Sequence, residues 1–433
     1  MNARFGPTGP LRGRVQVPAD KSISHRAAIL AAMAGGTVLI ANYLDAADTR
    51  STLAAVGRLG ARIESQDGEL EITGPGLLGA QAPAWPIDVG NAGTLLRLLP
   101  GWLAFQAGTS FVLDGDESIR RRPVDRIAQP LALMGASLEA REGRFPPLTV
   151  HGAGLRGIEY ELPVASAQVK SCVLLAGLAT DQTEVVEPVA TRDHTERMLL
   201  AAGATVQRRR KEGGYRTTVA GGAALALERI VVPGDLSSAA FLLAAGAIVP
   251  GSELVLEGVG VNWTRAGFLR ILARMGASVS GELEAEGAFG AFEPAADLEV
   301  RHVPLRATVV GKEEVPLAID ELPLVALLGC FAEGETVVQG AAELRLKESD
   351  RIATVVSGLR GLGASIEPLA DGFVVQGGGG LDGGELDAHG DHRLALLGAV
   401  AGLGSRDGVE VRGFEAADVS YPGFREQLGE LVA

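Results

Sequence analysis

Aromatic side chains supply only 4% of this chain, and two of its 433 residues are cysteine. Cys172 and Cys330 each sit inside an apolar run, so they read as core side chains, not a disulfide framework. Positive charge is also short: 39 Lys and Arg against 53 Asp and Glu leave a net charge of −14. That sign opposes nucleic acid and anionic membrane surfaces, and neither is expected as a partner. No apolar run reaches the ~20 residues of a membrane span, and the opening stretch MNARFGPTGPLRGRVQVP lacks the apolar core of a secretory leader. A soluble, reduced, cytoplasmic protein is the expectation. Also missing are a GxxxxGKS/T loop and a GxGxxG following a strand, so ATP and NAD chemistry find no foothold. The six His and two Cys show no metal-ligand spacing.

What is abundant is Gly, Ala, Leu and Val, within a sequence that is 47% hydrophobic. At this length two domains are expected. One pattern recurs: LAAVGRLGARIES, LALMGASLEA, MLLAAGATVQ, LARMGASVS and LRGLGASIE each read as helix, Gly-Ala, strand. The marking glycines, Gly60, Gly135, Gly203, Gly276 and Gly363, fall 68 to 87 residues apart. Gly just past the last helical turn is the expected C-terminal cap. Between these marks lie six apolar helices that end near Gly and run into strands. They begin at SHRAAIL, AGTLLRL, AQVKSCV, SSAAFLL, LPLVALL and HRLALLG. The sixth is followed by FREQLGELVA, a helix with no Gly-Ala strand after it. The strand LRGRVQVP at the N-terminus is expected to supply the missing piece. The chain then crosses twice between domains, near Asp20 and near residues 232–238. Domain A is expected over 1–19 with 235–433, and domain B over 20–234.

Polar residues gather just before the six apolar helices, in DKSISHR, GNAGT, ASAQ, GDLSS, IDELP and GDHR. Singly these are ordinary helix caps. Together they suggest helix N-termini aimed at anions, where free N–H groups and dipoles converge. The cations agree: Lys21, Arg26 and Arg393 lie on junctions, Arg120, Arg121 and Arg122 precede Pro123, and Lys347 and Arg351 flank Glu348 and Asp350. Arg suits a two-pronged grip on phosphate or carboxylate. RRRKEGG (208–214) reads instead as a solvated hairpin. Asp320 opens an apolar helix, where a cap is expected, while Glu348 sits in a charged cluster. An acid and a base beside bound anions are what proton transfer requires. His25 and His392 are further candidates as proton carriers.

Nine stretches in order, DKSISHRAAILAAMAGG, GNAGTLLRLL, RRPVDRI, ASAQVKSCVLLAGL, TRDHTERML, VPGDLSSAAFLLAAG, DELPLVA, LRLKESDRI and GDHRLAL, resemble the 5-enolpyruvylshikimate-3-phosphate synthase family. The likeness runs from about residue 10 to the C-terminus. It implies a two-domain inside-out α/β barrel of six βαβαββ units, three per domain, closing around substrates in the interdomain cleft. It implies a monomer without metal or organic cofactor that joins phosphoenolpyruvate to shikimate 3-phosphate. By resemblance, shikimate 3-phosphate is held by Lys21, Ser22, Arg26, Ser166, Ala167 (through its backbone), Gln168, Arg192, Asp320 and Lys347. Phosphoenolpyruvate meets Lys21, Asn91, Gly93, Arg122, Gln168, Arg351 and Arg393. Asp320, Glu348 and Lys21 are the implied catalytic groups. Ala167, Arg192 and Val419 depart from one branch of the family and resemble the second, often glyphosate-tolerant branch, whereas Gly93 is the residue of sensitive members. The sister transferase acting on UDP-N-acetylglucosamine usually shows a Lys-Asn pair and a reactive loop Cys. Here the pair is Lys21-Ser22 and the loop DGDESIRRRP has no Cys. A non-catalytic binding protein for phosphorylated ligands is the remaining alternative.

Overall fold

Six helices are mostly apolar and mostly buried: Lys21–Met33, Gly93–Leu103, Ala167–Gly177, Leu236–Ile248, Leu322–Phe331 and His392–Gly404. A helix without a polar face belongs inside, and Leu236–Ile248 is buried at every one of its 13 positions. The computed structural model describes residues 1–66, 68–211, 214–222 and 224–432. Among these described residues, six small sheets accompany the six helices, five of four strands and one of three. One unit shows the plan. Ile87–Asp88 runs parallel to Ser110–Asp114, and the helix Gly93–Leu103 makes the crossover. The helix Asp125–Met134 then leads into the hairpin of Ser137–Arg141 and Phe145–His151, which joins the sheet antiparallel. Gly135 ends that helix at φ 112°, a left-handed cap that a Cβ would strain. Along Ser110–Asp114, Phe111 and Leu113 are buried while Ser110 is exposed, so this sheet turns one face inward.

The chain divides into two units with separate cores. The first comprises Met1–Pro18, Pro233–Gly287 and Pro294–Ala433; the second comprises Ala19–Val232 and Ala288–Glu293. Each unit takes in a strand from a distant part of the chain. In the second, Arg229–Val231 pairs in parallel with Thr37–Ala41. In the first, Arg12–Gln16 pairs in parallel with Glu253–Gly260. No helix among the described residues is long and apolar enough to cross a membrane.

Three expectations need correction. The strand within LRGRVQVP does not complete the last unit, because it joins the sheet of Glu253–Gly260. The last unit is completed by Asn2–Phe5, antiparallel to Val409–Arg412. That four-residue strand alternates outward and inward, placing Ala3 and Phe5 in the core, with the Phe5 ring 4.9 Å from Phe414. Second, residues 235–433 do not all belong to one unit. Ala288–Glu293 packs on the second unit, where Arg197 donates to the carbonyls of Ala288 (3.2 Å) and Phe292 (3.1 Å), and His194 Nδ1 meets Glu293 Oε1 at 2.7 Å. Third, Arg208 is not a solvated hairpin charge. Its side chain is 1% exposed, ion-paired with Asp193 at 2.9 Å and stacked 4.0 Å over Tyr215. Arg209, Arg210 and Lys211 are exposed as expected, and the hairpin tip at 212–213 lies outside the described residues.

Candidate active site

In the second unit the helix Lys21–Met33 begins at Asp20, whose side chain accepts from Ile23 N at 2.8 Å. Lys21 and Ser22 are its only residues that are not buried. Lys21 Nζ is held 3.2 Å from Asp48 Oδ2. Arg26, one turn on, is buried and donates to Thr195 Oγ1 (2.8 Å), Ser171 Oγ (3.0 Å) and the Ser22 carbonyl (2.9 Å). Burial lowers its pKa to about 10, with Glu196 acting against that fall and Arg192 adding to it. It therefore stays charged at neutral pH, and Arg192 lies near enough to feel it.

The second and third helices of this unit bring their N-termini together. Backbone contact allows it: a Cβ on Gly101 would lie 2.3 Å from the Cys172 carbonyl oxygen. At the far end, Arg97 Nη1 donates to Gln168 Oε1 at 3.0 Å, and Gln168 Nε2 donates to Thr94 Oγ1 at 3.2 Å. Ser166 caps the helix Ala167–Gly177. The turn before the helix Gly93–Leu103 holds Asn91, whose Oδ1 accepts from Arg122 Nη2 at 2.7 Å and whose Nδ2 donates to Asp116 Oδ2 at 2.7 Å. A Cβ at Gly93 would approach Arg122 Nη1 to 2.6 Å, so the absent side chain leaves that guanidinium its place. Arg120 and Arg121 turn away to Asp114 and Glu117. Arg122 alone of the three joins Asn91 and Gly93.

In the first unit, Asp320, Lys347, Glu348, Arg351 and Arg393 form one connected cluster. Arg351 is its hub. Its side chain is 1% exposed and bonds Asp391 through Nε (2.8 Å) and Nη2 (3.2 Å), Glu348 Oε2 at 2.6 Å and Asp320 Oδ1 at 3.3 Å. Burial opposes its charge, but Asp391, Glu348 and Asp320 outweigh burial and raise its pKa above the ordinary value. Burial likewise pushes the Asp391 carboxyl up, yet Arg351 and His392 hold it below the usual carboxylate range. Lys347 Nζ reaches Asp320 Oδ1 at 3.3 Å. Arg393 Nη1 donates to the Asp320 carbonyl at 3.1 Å, and its Nη2 stands 3.8 Å from Asp320 Oδ2. Asp320 does not cap the following helix; Glu321 occupies the cap position, without a side-chain cap bond. Its carboxylate faces cations instead.

His25 loses its candidacy as a proton carrier. Burial, helped by Lys21 and Arg26, lowers its pKa to about 3, and its Nδ1 pairs with Thr52 Oγ1 at 2.6 Å. The two thiols are inert core groups: burial raises Cys172 and pushes Cys330 up to about 12. Sequence reasoning missed Asp48, Arg97, Ser237, Arg265, Glu321 and the grip of Asp391 on Arg351. Asp391 and Ser237 lay in junctions already marked, GDHR and GDLSS, and were read there as caps. Asp391 is a cap in part, accepting from Arg393 N at 2.9 Å, whereas Ser237 is not: Asp235 is the cap there and accepts from Ser237 N at 2.8 Å.

Each unit thus supplies a set of fixed cations, and the first also places Asp320 and Glu348, with Asp391, on one guanidinium, an arrangement suited to proton transfer beside an anion. Residues 6–428 match the family described as EPSP synthase (3-phosphoshikimate 1-carboxyvinyltransferase). The chain is 47% identical over 431 residues to a 3-phosphoshikimate 1-carboxyvinyltransferase of Desulfitobacterium hafniense, covering 99% of this chain and 97% of the relative. It is 49% identical over 433 residues to one from Acidithiobacillus ferrooxidans, covering 98% and 97%. Its fold is similar to the solved EPSP synthase of Acinetobacter baumannii, with TM-score 0.87, 41% identity and coverage of 100% and 98%. The enolpyruvyl transferase NikO of Streptomyces tendae shares the fold at TM-score 0.76 and 18% identity, over 99% of this chain and 96% of that one.

Proposed function

Because the chain belongs to the EPSP synthase family, we propose which of its residues carry each part of that family's reaction. The enzyme is a transferase of the shikimate pathway. It moves the enolpyruvyl group of phosphoenolpyruvate to the 5-hydroxyl of shikimate 3-phosphate and releases phosphate. The sister reaction on UDP-N-acetylglucosamine and a purely binding role are both disfavoured by relatives of 45% identity or more over nearly the whole chain.

In this reading shikimate 3-phosphate is held by Lys21, Ser22, Arg26, Ser166, the Ala167 backbone, Gln168, Arg192, Asp320 and Lys347. Phosphoenolpyruvate is held by Lys21, Gly93, Arg122, Gln168, Arg351 and Arg393, with Asn91 fixing Arg122. The 5-hydroxyl oxygen bonds to C2 of phosphoenolpyruvate while its proton passes to Asp320. C3 takes a proton from Glu348 and becomes a methyl group. The tetrahedral adduct then returns a methyl proton to Glu348, the C2–O bond to phosphate breaks, the proton held by Asp320 leaves with the phosphate, and the vinyl ether remains. Lys21 balances charge on the departing phosphate. The observation that carries these roles is the position of Arg351, bonded at once to Asp320 and Glu348. One buried cation holds both proton-transfer groups in fixed orientation, so little reorganisation is needed during reaction.

Asp320→Asn and Glu348→Gln test the assignment. Each is expected to lower kcat by about 10²–10⁴-fold while leaving both KM values within a few-fold. In heavy water, the parent enzyme is expected to wash deuterium into C3, and Glu348→Gln is expected to lose that wash-in. Near-normal turnover in either variant refutes its role. The same reading makes the protein a cytoplasmic monomer, supported by two buried unpaired thiols that suit a reducing compartment; sedimentation at working concentration checks the monomer.

A further inference from the structure

We propose that Arg265 and Glu321, joined through Ser237, are positioning residues that fix Arg393 for phosphoenolpyruvate. The inference rests on the role given above to Arg393.

All three lie in the first unit, outside the set that the family resemblance assigns. Arg265 is 4% exposed and Glu321 0%. Glu321 Oε1 accepts from Arg265 Nη1 at 3.0 Å and from the Ser237 hydroxyl. Arg265 Nη2 reaches Asp235 Oδ1 at 3.2 Å and donates to Ser237 Oγ. Arg393 Nη2 donates to the same Ser237 oxygen at 3.0 Å.

The direction of every bond in this group is determined. A serine hydroxyl has one proton and two lone pairs, and a guanidinium only donates. Arg265 and Arg393 therefore occupy both lone pairs, and the hydroxyl proton points to Glu321 Oε1. One oxygen links two cations to one buried carboxylate. Two guanidinium groups on a shared oxygen repel each other, more strongly where water is excluded. The negative charge that compensates is Glu321, 3.0 Å from Arg265 and 3.7 Å from Arg393, with Asp235 on the far side of Arg265.

Arg393 is thus held at two points, Ser237 Oγ and the Asp320 carbonyl. Its Nη2 stands 3.8 Å from the Asp320 carboxylate, just beyond hydrogen-bond reach. Without the charge of Glu321, the repulsion between Arg265 and Arg393 is less compensated, and the Asp320 carboxylate stands next to Arg393. Arg393 then swings towards Asp320 Oδ2 and loses its aim at phosphoenolpyruvate, while Asp320 Oδ1 stays held by Lys347 and Arg351. Shikimate 3-phosphate contacts in the second unit are untouched. A pair that serves stability alone predicts something else: a lower melting point, with unchanged kinetics in the protein that remains folded.

The test compares Glu321→Gln, Ser237→Ala and Arg393→Lys with the parent enzyme. Glu321→Gln keeps the size and the acceptor oxygen and removes only the charge; Ser237→Ala removes the shared oxygen and keeps every charge. Both are expected to raise KM for phosphoenolpyruvate on the order of tenfold, with KM for shikimate 3-phosphate within about twofold and a smaller fall in kcat. Arg393→Lys should shift KM in the same direction. Circular dichroism and melting curves establish that the variants are folded, and Ser237→Ala decides the matter if Glu321→Gln is not. Unchanged KM for phosphoenolpyruvate in a folded variant, with Arg393→Lys impaired, overturns the inference and leaves the role of Arg393 standing. An unimpaired Arg393→Lys removes that role and the inference with it.

Discussion

A buried histidine whose pKa is pulled down to about 3 should add to the protein's acid sensitivity between pH 7 and pH 5. In the unfolded chain His25 titrates near its ordinary value, so below about pH 6.5 the unfolded state binds a proton that the folded state refuses. Its contribution to stability is therefore complete above that pH and declines as pH falls towards the folded value. Between pH 7 and pH 5 the loss amounts to about 2 kcal/mol. Urea unfolding at both pH values should show that loss in the parent and its absence in His25→Gln. Equal acid sensitivity in the two proteins would mean that His25 is not the residue responsible. The sequence placed His25 beside Lys21 and Arg26 and left it a candidate proton carrier. Burial is what removes it from that role, and its buried ring pairs with Thr52, 27 positions away.

At the scale of elements, the six mostly apolar helices were legible because a helix with no continuous polar face has only one place to go. The junction residues before them were legible because caps, hydroxyls and cations crowd there. The N-terminal strand was misread for a reason of scale: Asn2–Phe5 is too short to show a pattern, and Arg12–Gln16 was the obvious candidate. The helix pair Gly93–Leu103 and Ala167–Gly177 carries a prediction of its own. Its N-termini hold Thr94, Arg97 and Gln168 in register only while Gly101 lets the two backbones touch. Gly101→Ala forces a shift against the Cys172 carbonyl and should cost about 1–3 kcal/mol. The melting point should fall by several degrees, and KM should rise for the ligands of Gln168. Gly57→Ala is the control. Its added Cβ makes an ordinary 3.7 Å contact with Ile63, so it should be neutral or stabilising by about 0.5–1 kcal/mol. Equal melting points for the two variants would contradict the close-contact account.

For the whole molecule, what the sequence hid is what joins distant parts of it. Arg265 and Glu321 are 56 positions apart, and Ser237 and Arg393 are 156 apart. No local spacing reveals such bonds, although both ends of the second lay in marked junctions. The segment Ala288–Glu293 was hidden in the same way, since its place on the second unit depends on Arg197 and His194. The division of labour between cation clusters and carboxylates has one consequence that no single residue carries: phosphate leaves phosphoenolpyruvate only when the correct acceptor is present. The most direct measurement is therefore phosphate release from phosphoenolpyruvate in three tubes: alone, with shikimate 3-phosphate, and with UDP-N-acetylglucosamine. The account predicts release in the second tube only. Release with the UDP-sugar instead, or none in any tube from folded protein, would contradict it.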